Sequence, residues 1–458
     1  MQRYRARFII SDGQTIDNGV LAVDGGKVVS ISKGDYDTDL GDVIVVPGLV
    51  NAHSHAFQRS MRGRTEYLDE GHESDDFWSW RSLMYQEAAR QTPELIGHVA
   101  RLAFLEMALS GVTAVGEFHY VHHRPNGTPY DDPNELANQV IQAALDVGIH
   151  ITLLNVAYHR GGYQRALVPE QFRFVDDRVD DYLKRTDALA QAWQRECRVG
   201  VGYAPHSIRA VPSTWLSEIV NAARRQRRVI HIHACEQRAE LEQAMGEYGR
   251  GPIAVFEELG LLEANATLVH ATHIDESDVQ RLKGTSASVC LCPTTERNLG
   301  DGFAPADLLF REQIPVCLGT DSQIQIDLWE DARQVEYQQR LLKERRNVLA
   351  AFAPSKLSKE GSSLDTGRAL WPTLNRNGAH SIGLNSGTLS AGQNADFITL
   401  DLGHPSFVGF RPQATFGQLV FGVQRGAVRD VFVRGEQIVR AGRHAQQDAI
   451  IKAYREAL

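Results

Sequence analysis

Val46-Pro-Gly-Leu-Val-Asn-Ala-His-Ser-His55 is the stretch that decides how this chain is read. An apolar, strand-like run, Val43-Ile44-Val45-Val46, leads into Pro47-Gly48 and then delivers two imidazoles at i and i+2. On an extended backbone such residues point to one side. Two nitrogens on one face are half of a metal site. Taken alone, the tripeptide reads better as two histidines on a loop, and what changes that reading lies downstream.

Upstream, residues 1–46 alternate short β-rich runs at 6–10, 20–23 and 27–31 with turn signals at Ser11-Asp12-Gly13 and Asp24-Gly25-Gly26, the grammar of antiparallel hairpins. The same grammar returns at 386–443, in 387–389, 395–400, 428–433 and 437–439, with Arg434-Gly435-Glu436 as a turn. One small sheet built from both termini is expected. The middle of the chain alternates short buried strands with longer helical stretches, the pattern of repeated βα units. Strands are expected at 113–118, 150–156, 199–203, 229–233, 266–270, 288–292 and 316–319, and helices at 92–110, 133–147, 213–224 and 329–347. With the strand before His53 there are eight, enough to close a (β/α)8 barrel. The expected organisation is an α/β TIM-type barrel over 48–384, a small β-sandwich from 1–47 and 385–443, and a C-terminal helix over 444–458.

Composition bounds the rest. The 458 residues are 43% hydrophobic and 23% charged with a formal net charge of −9, which fits an ordinary soluble protein and offers no basic surface for nucleic acid. Arg224-Arg225-Gln226-Arg227-Arg228 and Lys343-Glu344-Arg345-Arg346 read as solvated helix faces or helix ends. Five cysteines, at 197, 235, 290, 292 and 317, form no paired framework and argue for a reducing compartment. Cys290-Leu-Cys292 alternates as a core strand would. The first ten residues carry no apolar signal core, and no run of 18 apolar residues follows, so a cytoplasmic protein without membrane partners is expected.

In a barrel of this type reactive groups sit where strands end. Reading those tips in order gives His53 and His55; Glu117, His119 and Tyr120; His206 and Arg209; His231, His233 and Glu236; His270 and His273; and Asp321. His53, His55, His233 and Asp321 supply three nitrogens and a carboxylate oxygen, a competent shell for one divalent ion, Zn²⁺ first and iron as the alternative. Such an ion lowers the pKa of a water toward neutrality and so supplies a nucleophile. Asp321 can accept that water's proton. His270 would aid the deprotonation or stabilise charge at the attacked carbon. Glu236, three residues past His233, is poorly placed to bind the same ion and well placed to pass a proton to a leaving nitrogen. His231 is assigned to the core or to the outer side of the site, not to the metal.

These motifs resemble the amidohydrolase superfamily over nearly the whole chain, from Val46–His55 to the return at Ser386-Gly-Thr-Leu-Ser-Ala-Gly-Gln-Asn-Ala-Asp396. Several longer runs are similar to the formimidoylglutamate deiminases of histidine degradation: His53-Ser-His-Ala-Phe-Gln-Arg59, Phe77-Trp-Ser-Trp-Arg-Ser-Leu-Met-Tyr85, Glu117-Phe-His-Tyr-Val-His-His123, His206-Ser-Ile-Arg-Ala-Val211, Leu268-Val-His-Ala-Thr-His273 and Thr295-Glu-Arg-Asn-Leu-Gly-Asp-Gly302. Binuclear relatives bridge two ions with a modified lysine at the fourth strand. The region 200–209 has no lysine, so one metal is expected.

The resemblance implies deimination of a small acyclic dicarboxylate, N-formimidoyl-L-glutamate, by a zinc enzyme that forms a homodimer. It places substrate contacts on Gln58, Arg81, Tyr120, His206 and Arg209. Guanidinium forks suit carboxylates independently of any resemblance. Two departures stand out: Asp321-Ser322 is followed by Gln323 where histidine is common, and Cys235 stands where a small alanine is common. Two other readings compete. One is a deaminase or dechlorinase of a nucleobase, nucleoside or triazine ring, which would not need both arginines. The other is an inactive barrel scaffold, which could dispense with the four ligands.

Overall fold

The computed structural model describes residues 1–11, 13–68, 77–353 and 364–458. It begins with five strands of a small sheet: β1 (Gln2–Ser11), β2 (Gln14–Asp24), β3 (Lys27–Ser32), β4 (Thr38–Asp39) and β5 (Val43–Pro47). Eight barrel strands follow: β6 (Leu49–Ser54), β7 (Val112–His119), β8 (His150–Ala157), β9 (Val199–Pro205), β10 (Ile230–Ala234), β11 (Ala266–His270), β12 (Ser288–Leu291) and β13 (Val316–Leu318). The chain then returns to the small sheet with β14 (Phe397–Asp401), β15 (Val428–Val433), β16 (Glu436–Arg440) and β17 (Arg443–His444).

The barrel strands pair in parallel in the order β6 to β13, and the seam between β13 and β6 is joined by a single parallel bridge, Ser54 to Asp321. This is the expected (β/α)8 barrel, nearly closed. Helices rise where the sequence sets their ends. Thr92 Oγ1 accepts from the Leu95 amide at 3.1 Å and Pro93 opens Pro93–Leu109, while Gly148 at φ 91° stops Glu135–Val147. The helix expected to reach 347 ends at Lys343, because Glu344 turns left-handed at φ 49°.

One strand differs from its sequence reading. Val43–Pro47, which seemed to lead straight into His53, belongs to the small sheet, parallel to β1 and antiparallel to β14. The barrel begins afresh at Leu49, so His53 lies within its first strand and His55 just beyond it. Gly48 carries the change of sheet: a Cβ there would fall 2.2 Å from Thr113 Oγ1. Alternation explains why β5 is apolar at every position. Val43 and Val45 pack into the small-sheet core with Ile9, Leu21 and Phe397, whereas Ile44 and Val46 face the main core.

The small sheet runs β17-β16-β15-β14-β5-β1-β2-β3, with β4 on β1, so both ends of the chain are knitted into it. Its hairpins at Gly25-Gly26 and Arg434-Gly435 have positive φ at both central residues, the turn that suits the twist of paired strands. The turn read at 11–13 lies partly outside the described residues. Residues 387–389, read as part of the returning sheet, form no strand, although Leu389 packs into the sheet's core. Cys290, Cys292 and Cys317 fill the barrel lumen with Val50, Ala52 and Val269. Helix Gln447–Ala457 packs on Pro93–Leu109. Among the described residues no helix is long and apolar enough to cross a membrane.

Candidate metal centre and cleft

His53, His55 and His233 arrive from β6 and β10, and Asp321 from the loop after β13. His53 Nε2 lies 3.2 Å from His55 Nε2 and 3.3 Å from His233 Nε2. Asp321 Oδ1 stands 3.2 Å from His55 Nε2 and 3.5 Å from His53 Nε2. Ligands ~2.05 Å from a tetrahedral cation are themselves about 3.3 Å apart, so these spacings match a coordination shell. The tautomers agree. His55 Nδ1 donates to the Phe118 carbonyl at 2.9 Å and His233 Nδ1 to the His206 carbonyl at 3.0 Å, which leaves each Nε2 with a lone pair aimed inward. Lone pairs gathered in this way need a cation between them.

The protonation states also fit. Burial pushes His53 down to about 3 and lowers His55 and His233, so all three are neutral ligands. Burial alone would raise the Asp321 carboxyl, but its hydrogen bond with His53, with His270 behind, holds it below the usual carboxylate range.

Beside this centre lies a chain of buried charges. His270 Nε2 is 3.8 Å from both Glu236 Oε1 and Asp321 Oδ2, and its Nδ1 is 3.3 Å from Glu296 Oε1. Burial would lower His270, yet Glu236, Glu296 and Asp321 together raise it to about 10, making it an imidazolium among carboxylates. Burial raises Glu236 against the opposing pull of His270 and Arg209. Arg209, 6% exposed, reaches Glu240 Oε2 at 3.1 Å and Glu236 Oε2 at 3.4 Å. Arg81 differs: its Nη2 donates to Tyr158 Oη at 2.9 Å, it stacks on Trp78 and Tyr85, and it pairs with no carboxylate among the described residues.

One cleft is lined by His55, His233, Glu236, His270 and Asp321 on its floor and by Gln58, Arg81, Tyr120, His206 and Arg209 around it. Phe77, Trp80, Met84 and Leu299 complete its apolar wall. Gln58 Nε2 donates to Tyr120 Oη at 2.9 Å, while Gln58 Oε1 has no hydrogen-bond partner among the described residues. The structure thus brings every expected ligand and contact residue to one place.

Other histidines at strand tips do not join it. His231 Nε2 donates to the Ser381 carbonyl at 2.9 Å deep in the barrel, so His231 is a core residue. His119 turns toward His122, and His273 is displaced from the cleft floor. Glu240, Glu296 and Tyr158 are partners that the tip-by-tip reading missed. Glu240 lay four residues past Glu236 at a helix start, and Glu296 lay inside a quoted run, so both had a visible signal. Tyr158 had none.

The backbone is strained at this end of the barrel. Cys235, His270, Ala271, Asp321 and Gln323 have φ of 53°, 74°, 51°, 47° and 61°. Left-handed non-glycine residues are uncommon, and five at strand tips mark where local preference yields to site geometry.

The amidohydrolase family model matches residues 44–438, which spans both the barrel and the strands flanking it. The chain belongs to the amidohydrolase family. Like other amidohydrolases it is a hydrolase. It is 35% identical over 415 residues to a formimidoylglutamate deiminase of Pseudomonas aeruginosa, covering 90% of this chain and 88% of that one. An amidohydrolase from Brucella melitensis superposes with a TM-score of 0.90 at 32% identity, over 100% of this chain and 99% of the other. An adenosine deaminase from Xanthomonas campestris with bound zinc shares the fold at a TM-score of 0.82 and 20% identity, covering 99% and 97%. Substrates therefore differ widely across this amidohydrolase architecture, and the cleft has to decide among them.

Proposed function

We propose that this amidohydrolase deiminates N-formimidoyl-L-glutamate to N-formyl-L-glutamate and ammonia in histidine degradation, as a cytoplasmic homodimer with zinc held by His53, His55, His233 and Asp321. The observation that carries the reading is Arg81, a half-buried guanidinium facing the cleft that bonds a phenol and pairs with no carboxylate among the described residues. A cation so placed calls for an anionic ligand. The 35% identity to a formimidoylglutamate deiminase supports the same substrate.

A divalent cation, when bound, supplies a water acidic enough to serve as nucleophile at neutral pH. Asp321 Oδ2, on the His270 side, is placed to take its proton. His270, 3.8 Å from both Glu236 and Asp321, aids that deprotonation or stabilises charge at the attacked carbon. Addition to the amidine carbon gives a tetrahedral centre. Glu236 then protonates the departing nitrogen, the C–N bond breaks with its electron pair going to ammonia, and the hydroxyl proton returns to the Glu236 carboxylate as the carbonyl forms. Arg81 and Arg209 hold the two carboxylates, with Gln58, Tyr120 and His206 completing the contacts. Because Arg209 already serves Glu236 and Glu240, Arg81 carries the larger share.

Ammonia release should be measured with N-formimidoyl-L-glutamate, other acyclic formimidoyl amino acids, adenosine and aminotriazines. The formimidoyl dicarboxylate is expected to be the best substrate, and Arg81→Met to raise its KM by ~10–100-fold, the loss of a charge-assisted hydrogen bond. Turnover of a ring amine, with KM for the dicarboxylate unaffected by Arg81→Met, would establish the ring-deaminase reading instead.

A further inference from the structure

Asp321 reaches the centre from a place where the barrel has almost no backbone ladder. Between β13 and β6 the strands share the single Ser54–Asp321 bridge, made by the His55 amide on the Asp321 carbonyl at 2.9 Å and the Asp321 amide on the His53 carbonyl at 3.1 Å. Side chains do what the ladder does elsewhere. Gln323 Nε2 donates to Ser54 Oγ at 2.9 Å and to the Asp321 carbonyl at 2.8 Å, while Gln323 Oε1 accepts from Thr320 Oγ1 at 2.8 Å. Asn51 closes the chain on the β6 side, with Nδ2 donating to Thr320 Oγ1 at 2.7 Å and Oδ1 accepting from the Thr320 amide at 3.0 Å. Glu117, from β7, accepts from Ser54 Oγ and from the Ala56 amide at 2.7 Å.

Asn51, Ser54, Thr320 and Gln323 are all 0% exposed. Gln323 lines no part of the cleft, so it touches neither substrate nor cation. Its own φ of 61° and the 47° of Asp321 are conformations that a flexible loop would abandon. We propose that Gln323 is a positioning residue: its carboxamide straps the β13 loop to Ser54 across the barrel seam and so holds the Asp321 carboxylate in register with His53 and His55. Histidine, a rigid ring with one donor and one acceptor, could not make these three bonds from a single side chain. The amide can, because it offers two donors and an acceptor on one short plane.

The strap is separable from the fold. Without it, Ser54 still donates to Glu117, and the Asp321 carbonyl still accepts from the His55 amide. A merely structural role would lower the unfolding temperature of metal-free protein and leave the zinc affinity of the folded state unchanged. Zinc affinity should therefore be measured by chelator competition on Gln323→Leu, Ser54→Ala and the double variant, with thermal unfolding of each metal-free protein alongside. Gln323→Leu is expected to bind zinc about tenfold more weakly or worse. Ser54→Ala is expected to weaken it in the same sense, and the double variant to be no weaker than the poorer single one, since both remove the Gln323–Ser54 hydrogen bond that carries the strap. Zinc affinity of folded Gln323→Leu within threefold of the unsubstituted protein would overturn the assignment, as would independent, multiplying losses. If Gln323→Leu does not fold, Ser54→Ala decides: unchanged affinity there overturns the strap.

Discussion

At the residue scale, the proposed chemistry rests on three side chains whose states are set by their neighbours. Glu236 is raised by burial and stands between His270 and Arg209, an arrangement suited to holding and releasing a proton. Glu236→Gln should leave metal content unchanged and lower kcat by ~10²-fold or more, read by metal analysis and steady-state kinetics on the same sample. Wild-type turnover in the metal-replete variant would remove Glu236 from the mechanism. Asp321→Asn keeps the shape of the ligand but loses its charge, and metal binding should fall by ~10-fold or more, again read by chelator competition. The residue types at these positions were legible in the sequence, because ionisable groups recur at one strand tip after another. Their protonation was not. That His270 is raised to about 10 depends on Glu236, Glu296 and Asp321, which come from three different parts of the chain.

At the element scale, close approach between strands governs the centre. Gly319, where β13 gives way to the Asp321 loop, has room for no side chain: a Cβ would lie 2.7 Å from His53 Cβ and 2.8 Å from the His53 carbonyl oxygen. Gly319→Ala should push His53 out of register, lowering zinc affinity and kcat together by more than ~10-fold while costing about 1–3 kcal/mol of stability in denaturant unfolding, the usual size of overpacking. A stable variant with normal zinc affinity would show that the strands tolerate separation here. Most strands stood out in the sequence as short apolar runs with polar tips. The beginning of the barrel did not, because Val43–Val46 and Leu49-Val50 are apolar runs parted only by Pro47-Gly48. Only pairing with β1 and β14 reveals that the chain changes sheets at Gly48.

At the scale of the whole molecule, Asp396 joins the small sheet to the barrel. It is fully buried and accepts from His150 of β8 at 3.1 Å, from Ser386 Oγ at 2.6 Å and from the Arg434 amide at 2.8 Å. Burial would raise its carboxyl, but His150 first, and then these hydrogen bonds, hold it below its ordinary value of 3.8. A carboxyl depressed in the folded state contributes stability that is complete above its unfolded pKa and is lost as pH falls through the lower folded value. Asp396→Asn should destabilise the protein by about 3 kcal/mol at pH 7 and flatten the loss of stability below about pH 4, measured by urea unfolding across pH. An unchanged acid limb would assign that loss to other carboxylates. By itself the sequence determined the eight strand–helix units, the sheet shared by both termini, the two histidine pairs of motifs and the arginines that suit an anionic ligand, because periodicity, turn residues and donor types are local properties. Tertiary structure alone decided which histidines meet, which arginine pairs with buried carboxylates among the described residues and what closes the seam beside Asp321. Those depend on distances between residues as far apart as Ser54 and Gln323, and no local pattern records them.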